Sequence, residues 1–200
     1  QDFWFNYGQL LLLLGDWQKG FPLFEHRTIL ALYGEQNEKY QSIREKTPLW
    51  QGEIFSGKTL LLLQDIGFGD TIQMARYLPQ VKARGGYVVL AVAPALQRLF
   101  EDCPWVDAVI GNDEESLAQV ACDIQLLLMS LPYCFGTTVH SVPWSGPYIE
   151  GEKNLADFQS IKSMPGKQIG LVWSSGQPQG IVSPRARSAY LRDFLPVLTS

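Results

Sequence analysis

Asp70 is the residue in this sequence whose position best suits chemistry. It follows Gly67 and Gly69, where a run of four leucines, Leu60 to Leu63, gives way to an amphipathic segment. The leucine run has no polar alternation, as in a strand covered on both faces. The glycines permit a sharp turn and leave space for a ligand to approach main-chain N–H groups. Asp70 stands where a helix N-cap belongs, with Gln73 three residues on, the spacing of a capping box. Its carboxylate therefore has two readings, a structural cap or a charged group facing a ligand. Arg76 offers either a cation for a phosphate or one half of a salt bridge. A second cluster lies near the end of the chain. Ser174, Ser175 and Gly176 follow the strand-like run Gln168–Trp173, in the place of a phosphate-binding loop. Arg187, in a basic loop with Arg185, is a planar donor suited to a diphosphate, or else an exposed loop arginine.

The elements that must position these groups alternate. After the first strand come a helix over about 70–84, a strand over Tyr87–Val92, a helix from Pro94 to Asp102, and short strands at Ala108–Ile110 and Asp123–Leu128. That succession predicts βαβ units in a parallel sheet, an α/β fold, with ligands held outside the carboxyl ends of the strands. Ahead of it, residues 3–15 and 17–33 read as a helical hairpin, with Gly15 ending the first helix and Asp16 capping the second. Trp4, Gly8, Leu11, Gly15, Trp17, Gly20 and Phe24 have the spacing of one tetratricopeptide repeat, whereas Arg27 stands where a small residue is usual. An unrelated helical hairpin is the alternative. One repeat cannot bury its own face, so it is expected to end an upstream array or to dock on the domain that follows. Residues 34–58 are polar and read as a linker anchored by Trp50. The expected domains are 1–45, hairpin and linker; 46–165, a Rossmann-like domain; and 166–200, the start of a second one. The chain opens on Gln and is expected to be a piece of a longer protein.

Several classes of function fall away. Gly52 to Thr59 satisfies the Walker A pattern but precedes a strand instead of opening a helix, so nucleotide hydrolysis is not expected. Gly67-Phe-Gly69-Asp-Thr-Ile lacks the third glycine of a dinucleotide fingerprint, and the second strand ends without an acid for a ribose hydroxyl. The formal net charge of −4 argues against nucleic acid. No apolar run is long enough to span a bilayer. The three cysteines, Cys103, Cys122 and Cys134, form no CxxC and suit a reducing, cytoplasmic setting as small hydrophobes. His26 and His140 have no neighbours in sequence suggesting a metal site.

Trp50-x-Gly52, Gly57-Lys58-Thr59-Leu60, Gln64-x-x-Gly67-x-Gly69-Asp70-Thr71-Ile72-Gln73-x-x-Arg76-Tyr77, Ser130-Leu131-Pro132, Pro147-Tyr148 and Ile169-Gly-Leu-Val-Trp173 occur in this order. With the hairpin, this set resembles bacterial tetratricopeptide-repeat proteins that carry a heptosyltransferase-like glycosyltransferase domain. The resemblance implies a GT-B architecture, two Rossmann-like domains across a cleft, of which this chain would hold the first and the start of the second. It implies transfer of a sugar from a nucleotide-sugar donor to a hydroxyl of a protein or glycan acceptor, with no resident metal or cofactor. Asp70 would be the base. Gly67, Gly69, Thr71, Gln73 and Arg76, with Ser174, Ser175, Gly176, Arg187 and Ser188, would bind substrate and donor. The repeat-like helices would offer a surface to a protein partner. A helix N-terminus stabilises a carboxylate and weakens it as a base, whereas burial in a closed cleft acts the other way. The chain departs from the family after Trp173: the usual histidine and aspartate before Arg-Ser are absent, although Arg187-Ser188 is present. A transferase and a non-catalytic binding module therefore both remain open.

Overall fold

A computed structural model of the chain describes residues 2–29, 34–149, 160–161, 163–173 and 188–198. The chain divides into two compact units, Gln1–Gly151 and Glu152–Ser200.

The first unit is an α/β structure built on a four-stranded, all-parallel sheet in the order β3-β2-β1-β4, where β1 is Thr59–Leu63, β2 Tyr87–Val92, β3 Ala108–Gly111 and β4 Ile124–Leu127. The central strand β1 pairs Leu60 with Val88 on one side and with Ile124 on the other. Its leucines alternate between two cores, which is why the run needs no polar residue. Leu60 and Leu62 pack with Trp50, Tyr77, Leu78, Val81 and Phe100 on one face. Leu61 and Leu63 pack with Tyr40, Val89, Ala91 and Leu127 on the other. All four are fully buried, and burial contributes roughly 1.5–3 kcal/mol for each such side chain. Trp50 is the expected anchor. Its indole N–H donates to the Glu53 carbonyl at 2.9 Å, and its ring meets Phe55 and Phe135 edge-on.

The hairpin consists of α1 (Asp2–Leu13) and α2 (Trp17–Phe24), joined where Gly15 adopts φ +85°, followed by a 3₁₀ turn over Glu25–Ile29. Small residues do lie where the helices press together: a Cβ on Gly8 would stand 2.9 Å from the Leu23 Cβ, and one on Gly20 2.8 Å from the Leu12 side chain. Asp16 precedes α2, but its carboxylate accepts from the Lys19 ammonium at 2.8 Å and makes no capping bond.

Three expectations need correction. Residues 34–46 are not linker but a helix, α3 (Gly34–Lys46), whose Tyr40 is buried against the sheet and donates through its hydroxyl to the Gln64 carbonyl at 2.6 Å. The helix expected from Asp70 starts earlier, at Phe68. It runs as α4 (Phe68–Met74), a 3₁₀ turn (Ala75–Tyr77) and α5 (Leu78–Lys82). In the second unit the described residues contain no strand: the run expected over 168–173 is irregular, with the Trp173 carbonyl accepting from Ala189 N–H at 2.8 Å. A strand needs a neighbouring ladder for its N–H and C=O groups, and none is formed among the described residues. The closing helix does form, as a 3₁₀ turn over Leu191–Phe194 leading into α9 (Leu195–Leu198), so numbered after α6 (Pro94–Phe100), α7 (Glu114–Ala118) and α8 (Leu131–Cys134).

Candidate functional site

The strand order reverses between β1 and β4, so the crevice outside their carboxyl ends is where a sheet of this kind takes a ligand. Chain leaves β1 there through Gln64, Asp65 and Ile66, and leaves β4 through Leu128, Met129 and Ser130. Gln64 ties the ends of the neighbouring strands together, its side-chain oxygen accepting from Ala93 N–H at 2.8 Å.

The crevice is filled from within the chain. Arg27, only 2% exposed, reaches in from the turn after α2. Its Nε and Nη2 donate to one oxygen of Asp65 at 3.0 and 2.9 Å, Nη2 also donates to Ser130 Oγ at 2.8 Å, and Nη1 donates to Glu25 at 2.6 Å. Ser130 Oγ donates to the second Glu25 oxygen at 2.7 Å, and the other Asp65 oxygen accepts from Met129 N–H at 3.1 Å. Burial pushes the Asp65 carboxyl up against the pull of Arg27 and the Met129 N–H. For Arg27 burial acts against the charge, and Asp65 and Glu25 outweigh it, so the guanidinium is held more firmly protonated than usual. The Arg27 guanidinium lies 4.9 Å from the centre of the Phe24 ring, which packs with Phe5 against Ile66 and Met129. These residues escaped the sequence reading, although two signs of them were visible. Arg27 stood out from the repeat pattern, and Asp65 follows the buried leucines directly.

Beside this plug lies the glycine segment. Gly67 precedes α4 with φ −76° and ψ 173°, and neither Gly67 nor Gly69 adopts a positive φ, so the turn from β1 into α4, bent at Ile66, makes no use of the left-handed freedom of glycine. Asp70 is the third residue of α4 rather than its N-cap, and its carboxylate accepts from Gly67 N–H at 3.0 Å. It is half-buried, among exposed Gly67, Phe68 and Gly69. Thr71 is buried, its hydroxyl donating to the Gly67 carbonyl at 3.0 Å, and so is committed to the first turn of the helix. Gln73 is exposed. Arg76 is half-buried, donates through Nε to the Gln73 carbonyl at 2.9 Å, and lies 5.4 Å from the centre of the Tyr148 ring. Helix α4 and the turn after it thus carry Gly69, Asp70, Thr71, Gln73 and Arg76 in one short stretch. Ser174, Ser175, Gly176 and Arg187 lie outside the described residues, and Ser188 is half-buried in the second unit. The Walker-like stretch runs through turns at Gly52 (φ +92°) and Gly57 (φ +75°) into β1, not into a helix.

Among the described residues, no three His, Cys, Asp or Glu side chains are placed to hold a metal ion, and no helix is long and apolar enough to cross a membrane. The cysteines are half-buried; burial raises all three thiols, that of Cys134 to about 12.

Fold and site define an α/β protein with a parallel sheet and a helical hairpin seated at its topological switch point. The chain is similar to "Protein FlbA" of Caulobacter vibrioides, with 34% identity over 95 residues, covering 46% of this chain and 15% of the length of FlbA. No protein-family model and no solved structure matches the chain.

Proposed function

We propose that this chain carries the acceptor-side domain of a heptosyltransferase-like sugar transferase of GT-B type, with a tetratricopeptide-like hairpin before it and the start of the donor-binding domain after it. The observation that carries this reading is Asp70: a half-buried carboxylate on the first turn of the helix leaving the central strand, oriented by the Gly67 N–H and open on the side of Gly69. The family resemblance of the Gly67-to-Tyr77 segment supports it. In the reaction, the acceptor hydroxyl oxygen bonds to the anomeric carbon of the donor sugar while the bond from that carbon to the diphosphate breaks. The diphosphate leaves with the electron pair, and the hydroxyl proton passes to Asp70. Arg187, with Ser174, Ser175, Gly176 and Ser188, holds the nucleotide sugar and stabilises the departing diphosphate by charge-assisted hydrogen bonds, with no resident metal. The reaction takes place in the cytoplasm. In the full-length protein, Asp70→Asn lowers turnover by about 10²–10⁴-fold, the usual range for a general base; unchanged turnover removes Asp70 from the mechanism.

A second reading, a non-catalytic module that recruits a protein through its helices, is favoured by one observation. α1 leaves Phe3, Tyr7 and Leu10 exposed on one side, the spacing of a helix face that packs on another helix. Failure of the full-length protein to bind or hydrolyse any nucleotide sugar would favour it over the transferase.

A further inference from the structure

With the switch-point crevice occupied by Arg27, the open ground in this region is the outer face of α4 and the turn that follows. Gly69, Gln73 and Arg76 are spaced four and three residues apart and so share one face of the helical segment. Nothing stands within 4 Å of a Cβ built on Gly69. At the far end of this face Arg76 lies over Tyr148, with Nη2 at 3.4 Å from the phenol oxygen. Trp144 meets Tyr148 edge-on at 6.5 Å and is 71% exposed.

Two features of the cluster point to a ligand. Among the described residues no carboxylate pairs with Arg76; its partners are a carbonyl, a phenol and a ring face. Its charge is left for an anion, and a guanidinium fork matches phosphate or carboxylate. The second feature is the indole of Trp144, a large exposed aromatic surface that meets the same Tyr148 ring on which that cation lies. The C–H face of a sugar ring carries weak positive potential and lies well on the negative face of an aromatic ring. The amide of Gln73 and the bare backbone at Gly69 continue the surface toward Asp70.

We propose that Trp144, Tyr148 and Arg76 form a binding site for an anionic sugar. Its ring rests on the indole and its phosphate or carboxylate is held by Arg76. The assignment of this sugar as the acceptor rests on the transferase reading above; the binding site itself does not.

The test is a titration of the ¹⁵N-labelled chain, following the indole N–H signal of Trp144, which is assigned by its loss in Trp144→Phe. The probes are glucose, glucose 6-phosphate, glucuronate and inorganic phosphate. Glucose 6-phosphate, glucuronate or both shift the signal saturably, and whichever acts identifies the anion. Glucose and inorganic phosphate at the same concentrations leave the signal in place. Arg76→Met and Arg76→Lys keep the fold and weaken the response, the former by about tenfold, as loss of a charge-assisted contact does. No shift with either anionic sugar overturns the proposal, as does an equal shift with inorganic phosphate alone. Turnover of Asp70→Asn is scored separately. Sugar binding with unchanged turnover leaves this site standing and removes the base. Lost turnover without sugar binding does the reverse.

Discussion

Arg27 and Asp65 bear most on the interpretation of this molecule, because a charged pair this deeply buried has no neutral role. Removing Arg27 leaves the Asp65 carboxylate buried with only the Met129 N–H to meet it, and breaking comparable buried pairs costs roughly 3–5 kcal/mol. Arg27→Met therefore lowers the urea midpoint sharply, since it leaves both Asp65 and Glu25 uncompensated. Lys19→Ala, which breaks an exposed pair with Asp16, leaves the midpoint where it was. A second ion pair gives a pH signature. Asp107 is partly buried, which raises its carboxyl, but the Lys82 ammonium at 2.5 Å and the Val88 N–H outweigh this and hold it below the usual value near 3.8. A carboxylate lowered in the folded state contributes stability above its unfolded pKa and loses it as pH falls through the folded one. The stability difference between the parent chain and Asp107→Asn is accordingly constant near neutrality. It shrinks as pH drops below the usual carboxylate range, as urea midpoints across an acid series would record.

At the scale of elements, glycines separate close packing from open surface. Gly8 sits where α1 meets α2, and a methyl there would press on the Leu23 side chain and the Phe24 backbone at 2.9 Å. Gly8→Ala is thus destabilising by about 1–3 kcal/mol, as overpacking is, despite the better helix propensity of alanine. Gly69→Ala meets nothing and gains up to roughly 1 kcal/mol from propensity alone. Thermal midpoints of the two variants should move in opposite directions. The same scale explains what could be foreseen. Leu60–Leu63 and Tyr87–Val92 were legible because a doubly covered strand needs an unbroken apolar run, and the pairing Leu61–Val89 fulfils it. α3 was hidden because, among its described side chains, only Tyr40 and Ile43 are apolar; these two are what pack it against the sheet. Gln168–Trp173 misled for the opposite reason. Its residues favour a strand, but strand formation depends on a neighbour that sequence spacing cannot supply. Of the candidate site, Asp70 and Arg76 were visible as residue types. The Arg27–Asp65 tie was not, because 38 residues separate its partners.

For the whole first unit, the tie joins what the sequence divides into a hairpin and a sheet. If it carries the coupling, amide signals of α1 and α2 and those of β1 and β2 lose intensity at one common urea concentration in the parent chain, and at two separate ones in Arg27→Met. Coincident loss in the variant would assign the coupling to the packing of Phe5 and Phe24 on Ile66 and Met129 instead.

That connection also determines where mechanical load goes. Asp65 lies two residues beyond the innermost strand, and its grip on Arg27 makes the hairpin a lever with its fulcrum at the sheet's midline. A pull or twist applied to α1 by anything that grasps its apolar side is delivered through Arg27 to Asp65, five residues before the proposed base Asp70.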